Sequence, residues 1–374
     1  WSEWAPGTVQ SGAWISLSGA DTLQAGRGLR TTPSPSGNTN PDSITETRNF
    51  EGKVHNGPLS YKAGGVSEND IILAGNPYPS PIQNDSFISH NPDLTGALYY
   101  WDHLTQFQGR TVSGDYVTWN ATGSDLNGNK SPRNSTASMQ GFFVQVGRGV
   151  NNQDLDIAFQ NDQRVGGDNS RFFKSEQISP QRLWLKVSRD SGTVNKLLLG
   201  LVSQATDGYD RIYDATKLRG NSDLAFYSVL GQRDLAIQGL DQDLQTVKVI
   251  PLGIDAASKG RYTIGLDSLD NWPGHYLRLV DSALGHSTDL RRHSYTFGVN
   301  QTGSLRDRFY LLISKDPLSS SPDGRPQIGK LIVFQRGDYL EVDSRLLERS
   351  PDELVLRTLS GRKVREVKPE SMLH

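Results

Sequence analysis

GNPYPSPI, residues 75–82, follows directly on the apolar run Ile71-Ile72-Leu73-Ala74. Six of its eight residues are Gly, Asn, Pro or Ser, so neither a helix nor a central strand continues through it. The apolar run has the composition of a buried strand. Pro77, Pro79 and Pro81 then each withhold an N–H from a ladder, so the chain must leave the sheet here. Pro77 pushes Asn76 towards an extended conformation, and Gly75 can supply an unusual φ. Tyr78 is expected on a stiff arm against the sheet edge. An active-site loop, a ligand-binding rim and a structural corner can all begin this way. No acid or base lies within the stretch, so Gly75, Asn76, Pro77, Tyr78, Pro79 and Ser80 read as a rigid corner.

The strand signal recurs along the chain. Gly141-Phe142-Phe143-Val144-Gln145-Val146, Leu183-Trp184-Leu185-Lys186-Val187, residues 197–202, 245–252 and 276–280, and Arg308-Phe309-Tyr310-Leu311-Leu312-Ile313 alternate apolar and polar or stay apolar for a few residues. No stretch keeps a 3.6 period for three turns; the nearest, Pro351-Asp352-Glu353-Leu354, is too short. Short strands separated by turn residues predict an all-β chain built of tandem β-sandwiches, jelly-roll or immunoglobulin-like, with a small partial sandwich as tail. The expected organisation is a Gly/Asn/Trp-rich sandwich over residues 1–170, a second over 180–315, a Pro/Ser linker over 316–327 and short strands over 328–374.

The bulk numbers bound the function. The 374 residues are 35% hydrophobic and 21% charged, enough for packed cores. Net charge is −2 and the basic residues are scattered, which argues against a nucleic-acid partner. No apolar run is long enough to insert in a membrane as a helix. With no cysteine there is no disulfide, thiolate metal site or cysteine nucleophile. A chain that starts at Trp1 reads as a piece of something longer.

Motifs for chemistry are sparse. The seven histidines form no H-x-x-x-H or H-E-x-x-H pattern, and there is no G-x-S-x-G elbow and no P-loop. Gly26-Arg27-Gly28 lacks the third glycine of a dinucleotide fingerprint, position 31 being Thr. Carboxylate pairs for glycoside hydrolysis, such as Asp102 and Asp115, are no better marked than any others among 41 acidic residues. The chain is therefore expected to be non-catalytic and to need no cofactor. One cluster, Asp207, Asp210 and Asp214, is spaced either to gather around Ca²⁺ or to cap turns. Asp125-Leu126-Asn127-Gly128-Asn129 imitates a calcium loop but has Thr136 where the bidentate Glu belongs, so it reads as a turn. Aromatic residues crowd the first segment: Trp1, Trp4, Trp14, Tyr99, Tyr100, Trp101, Tyr116 and Trp119. In a strand, Tyr99 and Trp101 share one face and Tyr100 takes the other. One face is then core and the other a partly covered sheet, or else Tyr99, Trp101 and Trp119 form a platform for glycan rings.

The order of Asn76-Pro77-Tyr78-Pro79-Ser80, Tyr99-Tyr100-Trp101-Asp102, Gln140-Gly141-Phe142-Phe143-Val144 and Phe159-Gln160-Asn161-Asp162-Gln163-Arg164 resembles the C-terminal regions of secreted surface proteins of Bacteroidetes-type bacteria that leave by type IX secretion. Residues 205–218, Tyr295-Thr296-Phe297 and Arg308-Phe309 look like the sandwich that follows in those proteins. The tail from about 328, with Val355 to Val364, is similar to the start of their sorting domain. It has Val333-Phe334-Gln335-Arg336-Gly337 in place of the usual Y-P-N-P and stops before the last strand, so only part of that domain is expected. The resemblance implies a structural or presentation region, secreted or at the cell surface. It implies the type IX translocon and associated outer-membrane proteins as partners, with Gly141, Phe142 and Phe143 as structural motif residues. A carbohydrate-binding or adhesin module is the alternative.

Overall fold

The computed structural model describes residues 2–7, 12–18, 21–30, 54–102, 114–127, 132, 134–166, 180–190, 192–244 and 247–315, and the strands 332–336, 339–343, 354–357 and 363–367. The fold is all-β. Among the described residues the one α-helix is the seven-residue Asn84–His90, two turns that are too short to write a 3.6 period into the sequence. It buries Asn84, Phe87 and Ile88, and no described helix is long and apolar enough to cross a membrane.

The first region, 54–166, is centred on an antiparallel sheet in the order Ile71–Gly75, Gly141–Val146, Leu94–Asp102, Asp115–Asn120, Gly123–Ser124. A two-stranded sheet, Leu59–Val66 with Gln153–Phe159, covers one of its faces. Ile72, Ala74, Leu98, Tyr100, Trp119, Phe142 and Val144 project to that side and pack with Tyr61, Phe87, Ile157 and Phe159. Phe87 meets Phe142 edge-on at 5.2 Å.

The opposite face carries the alternate residues of the same strands: Ile71, Leu73, Ala97, Tyr99 and Phe143. It is buried too. An N-terminal three-stranded sheet, Ala13–Ser16, Ser2–Ala5 and Leu29–Arg30, brings Trp4 onto it, and the Trp4 Nε1–H donates to Ile71 O at 2.8 Å. Trp184, Leu198, Ala215, Leu218 and Ile237 of the second region complete this core. The face expected to be partly covered is thus covered over most of its extent, because the two regions share a core, and Trp101 at its edge stays 43% exposed.

The second region, 180–315, is one twelve-stranded sheet folded over on itself. Its path runs from His286–Asp289 at one end through Phe309–Ser314, Lys248–Ala256, Arg233–Asp241, Val194–Val202 and Gln181–Arg189 to Tyr295–Val299 at the other. Residues from nearly every strand meet in one apolar core that includes Leu185, Leu199, Phe226, Leu252, Tyr262, Leu279, Phe297 and Leu311. The two ends approach each other: His286 stacks on Tyr295 with centroids 5.6 Å apart, and the Tyr295 hydroxyl donates to Asp281 Oδ2 at 2.7 Å. Arg308 Nη2 donates to the same oxygen at 2.7 Å. Burial alone would raise the Asp281 carboxyl, but Arg308 and Tyr295 outweigh it and hold it below its ordinary value.

Two antiparallel hairpins follow, Ile332–Arg336 with Tyr339–Asp343 and Leu354–Arg357 with Lys363–Val367. The expected linker 316–327 and residues 358–362 lie outside the described residues.

Candidate functional site

The corner at 75–82 is held by one amide side chain. Asn76 Oδ1 accepts the Tyr78 N–H at 3.0 Å, while Nδ2 reaches Ser80 O and Ala137 O at 2.9 Å and Thr136 O at 3.3 Å. The Asn76 N–H donates to Gln140 O, and Gly75 pairs with Gly141 across the ladder. Gly75 and Gly28 touch: a Cβ on Gly28 would lie 2.6 Å from Ala74 O, and one on Gly75 3.3 Å from Gly28 Cα. Tyr78 is fully buried and donates to Gly57 O at 2.8 Å. Arg164 lies over its ring at 5.2 Å, and Arg164 Nε donates to Ser80 Oγ at 2.9 Å. The Asn-Pro-Tyr-Pro-Ser, Gln-Gly-Phe-Phe and Phe-x-Asn-x-x-Arg stretches therefore meet in one knot. Pro77 is half-buried and Pro79 exposed, while Phe142 and Phe143 point to opposite cores.

The aromatic candidates do not form a platform. Tyr99 is fully buried in the shared core and Trp119 is 6% exposed in the first-region core, so neither ring is open to a sugar. Trp101 is 43% exposed and stands edge-on to Tyr116 at 5.1 Å.

The acidic candidates serve turns and ion pairs. Asp207 pairs with Lys248. Asp210 Oδ2 accepts from the Thr206 backbone and hydroxyl. Asp214 is buried, accepting Asp210 N–H at 2.7 Å and Gly239 N–H at 2.8 Å. Among the described residues no group of three or more His, Asp or Glu is placed to hold a metal ion. The loop these carboxylates shape is a clasp between the regions. Arg211 Nε donates to Leu94 O at 2.7 Å, and Nη2 to Asn91 O and Ile88 O at 2.9 and 3.2 Å, serving carbonyls at the end of the helix. Arg211 O and Ile212 O accept from Gly96 N–H and Ala121 N–H, and Tyr213 O accepts from the Thr122 hydroxyl at 2.8 Å. Asp125 also makes a turn, its Oδ1 accepting from Thr118 N–H and Asn127 N–H at 3.1 and 3.2 Å. Asn127 exchanges two hydrogen bonds with the Lys196 backbone, and Asn129 lies outside the described residues.

Beside the clasp lies a buried polar centre to which both regions contribute. Asp115 opens the Asp115–Asn120 strand of the first region, opposite Asp102 in register. Its Oδ1 accepts Tyr116 N–H at 2.8 Å and Asn221 N–H at 3.2 Å. Its Oδ2 accepts Asn195 Nδ2–H at 2.7 Å and faces Lys217 Nζ at 3.4 Å. The two charged side chains are 1% and 2% exposed. Asn195 Oδ1 in turn accepts Phe226 N–H at 2.9 Å. Asp125 is fully buried nearby, its Oδ2 without a hydrogen-bond partner, and burial pushes its carboxyl up to about 6 although Lys217 pulls it back. Trp184 Nε1–H donates to Ser124 O and Arg182 Nε–H to Thr122 O, both at 2.7 Å, closing the rim.

Lys217, Asn195 and Asn221 carry no mark of a polar centre in the sequence. They lie 102, 80 and 106 residues from Asp115, and although Lys217 falls in the 205–218 stretch, nothing there ties it to a carboxylate so far back in the chain. The nearest signal is Asp115 itself, a carboxylate at the head of a strand whose other residues, Tyr116 apart, are buried.

One family model, described as "Domain of unknown function (DUF8693)", matches residues 1–313. No curated protein and no solved structure matches the chain.

Proposed function

The chain belongs to the DUF8693 family, and from that premise and the junction above we propose that it is a non-catalytic presentation region of a secreted bacterial surface protein. In this reading it leaves by type IX secretion, its tail is part of a sorting domain, and its partners are the translocon and associated outer-membrane proteins. The observation that carries the reading is the convergence of the motif residues on the Asn76 knot, where each supplies a hydrogen bond, a packing surface or a tight backbone approach. A region that presents another part of a protein outside the cell needs such fixed joints, and the shared core of the two regions supplies a second one.

The test compares the full gene product, epitope-tagged, in a type IX-competent host and in the same host without the translocon. Surface display in the first and periplasmic retention in the second is expected; the same location in both strains would overturn the export reading. Glycan binding is the second reading, favoured only by the half-exposed Trp101. Its test is a glycan array with Trp101→Ala as control, where a specific signal lost in the variant would support it.

A further inference from the structure

We propose that Lys217 and Asp115 join in an intramolecular isopeptide bond that covalently welds the two regions. The inference rests on the geometry and charge of this buried centre and does not depend on the export route.

Four observations point to it. The Lys217 Nζ and Asp115 Oδ2 lie 3.4 Å apart, with both side chains shut off from solvent. An ammonium has three N–H groups to place, and the structure gives this one a single long acceptor. A buried charge so poorly satisfied is costly, and an amide in its place has only one N–H to satisfy. Second, Asp115 Oδ1 receives two backbone N–H groups, those of Tyr116 and Asn221. They polarise the carboxyl carbon and stand ready for charge on that oxygen, as oxyanion donors do. Third, the buried Asp125 carboxyl feels the charge of Lys217 and has an oxygen with no hydrogen-bond partner, so it is free to carry a proton. Fourth, the pair is roofed. A Cβ on Gly220 would lie 2.8 Å from the Trp101 ring, 2.9 Å from Asp115 Oδ1 and 2.9 Å from the Tyr116 ring. That tight cover excludes the water that would favour hydrolysis.

The step balances without a cofactor. One proton moves from the Lys217 ammonium to Asp115 Oδ2, leaving an amine and a carboxylic acid. The Nζ lone pair attacks Cγ, and negative charge gathers on Oδ1 against the two N–H donors. A second Nζ proton passes through Asp125 to Oδ2. The Cγ–Oδ2 bond breaks, Oδ2 leaves as water with both protons, and an amide with one N–H remains.

The experiment is the intact mass of the purified full chain, followed by proteolysis. The expected result is a mass lower than the sequence mass by one water, with a peptide containing Asp115 joined to one containing Lys217. Lys217→Arg and Asp115→Ala are expected at the full mass. A wild-type chain at full sequence mass would overturn the proposal. So would a water loss confined to a linear peptide, as succinimide formation at Asp207-Gly208 would give. Asp125→Asn, checked for folding by circular dichroism, is expected to stay at full mass; complete cross-linking in that variant would remove Asp125 from the proton path.

Discussion

The two faces of the five-stranded sheet are built from alternate residues of the same strands, yet they are covered in different ways. One face packs Phe142, Leu98 and Trp119 against the two-stranded sheet, and its core is drawn from the first region. The other packs Phe143, Tyr99 and Leu73 against the N-terminal arm and the second region, and beside it lie Asp115, Lys217, Asn195 and Asp125. Apolar surface accepts any apolar cover of fitting shape. Buried charges and amides accept only partners placed for them, and they are costly when unpaired. The first face therefore gives the region its stability, and the second fixes which way the neighbouring region must sit.

Lys217→Ala gives the sharpest break in this comparison. It leaves Asp115 as a free buried carboxylate with neither a cation nor an amide partner, and a loss of at least about 3–5 kcal/mol is expected in urea unfolding. Phe142→Ala on the other face is expected to cost a similar ~3–5 kcal/mol through a cavity. The two variants differ in pH response. The Lys217→Ala loss should be larger at pH 8 than at pH 5, because Lys217 offsets the charge of the buried Asp125 carboxyl, which is raised to about 6 and so is ionised at the higher pH, while the Phe142→Ala loss should be the same at both. Equal pH behaviour would erase the distinction between the faces.

Arg211→Ala removes three donors from carbonyls of the first region. About 2–3 kcal/mol is expected, since hydrogen bonds from charged donors are the stronger kind. Proteolysis within 203–214 should be faster. Asn76→Ala should cost about 1–3 kcal/mol by freeing the carbonyls of Ser80 and Ala137.

Titration separates the junction from the sheet seam of the second region. Asp125 is raised to about 6 and Asp214 to about 7 by burial. The folded chain holds these protons more tightly than the unfolded one. Their contribution is full below about pH 4 and is lost as pH rises through about 6 to 7. Asp281 is lowered, so its contribution is present above the unfolded value of about 4 and is lost as pH falls further. Urea midpoints measured from acid to neutral pH should fall at both ends. Asp125→Asn should flatten the neutral limb and Asp281→Asn the acid limb. The smallest effect is expected from Trp101→Ala, about 1–2 kcal/mol, because that ring is half-exposed.

The strand pattern was legible because a pleated strand writes its alternation into neighbouring residues. Gly141–Val146 has the bounds read from composition, and the prolines after Ile71–Gly75 do end that strand. The Asn76 knot was legible only as a corner. Its partners Ala137 and Arg164 lie 61 and 88 positions along the chain, beyond the reach of any local rule.

The order of residues by itself determined an all-β chain, its main strands and the place where it must turn out of the sheet, because each of these depends on neighbouring residues. Only the tertiary structure decided that Tyr99 and Tyr100 are buried on opposite faces while Trp101 stays half-exposed, that the 207–214 carboxylates shape a clasp, and that Lys217 reaches Asp115. Period-2 alternation divides residues between two faces, but it cannot say what covers either face, since that depends on segments brought together from far along the chain.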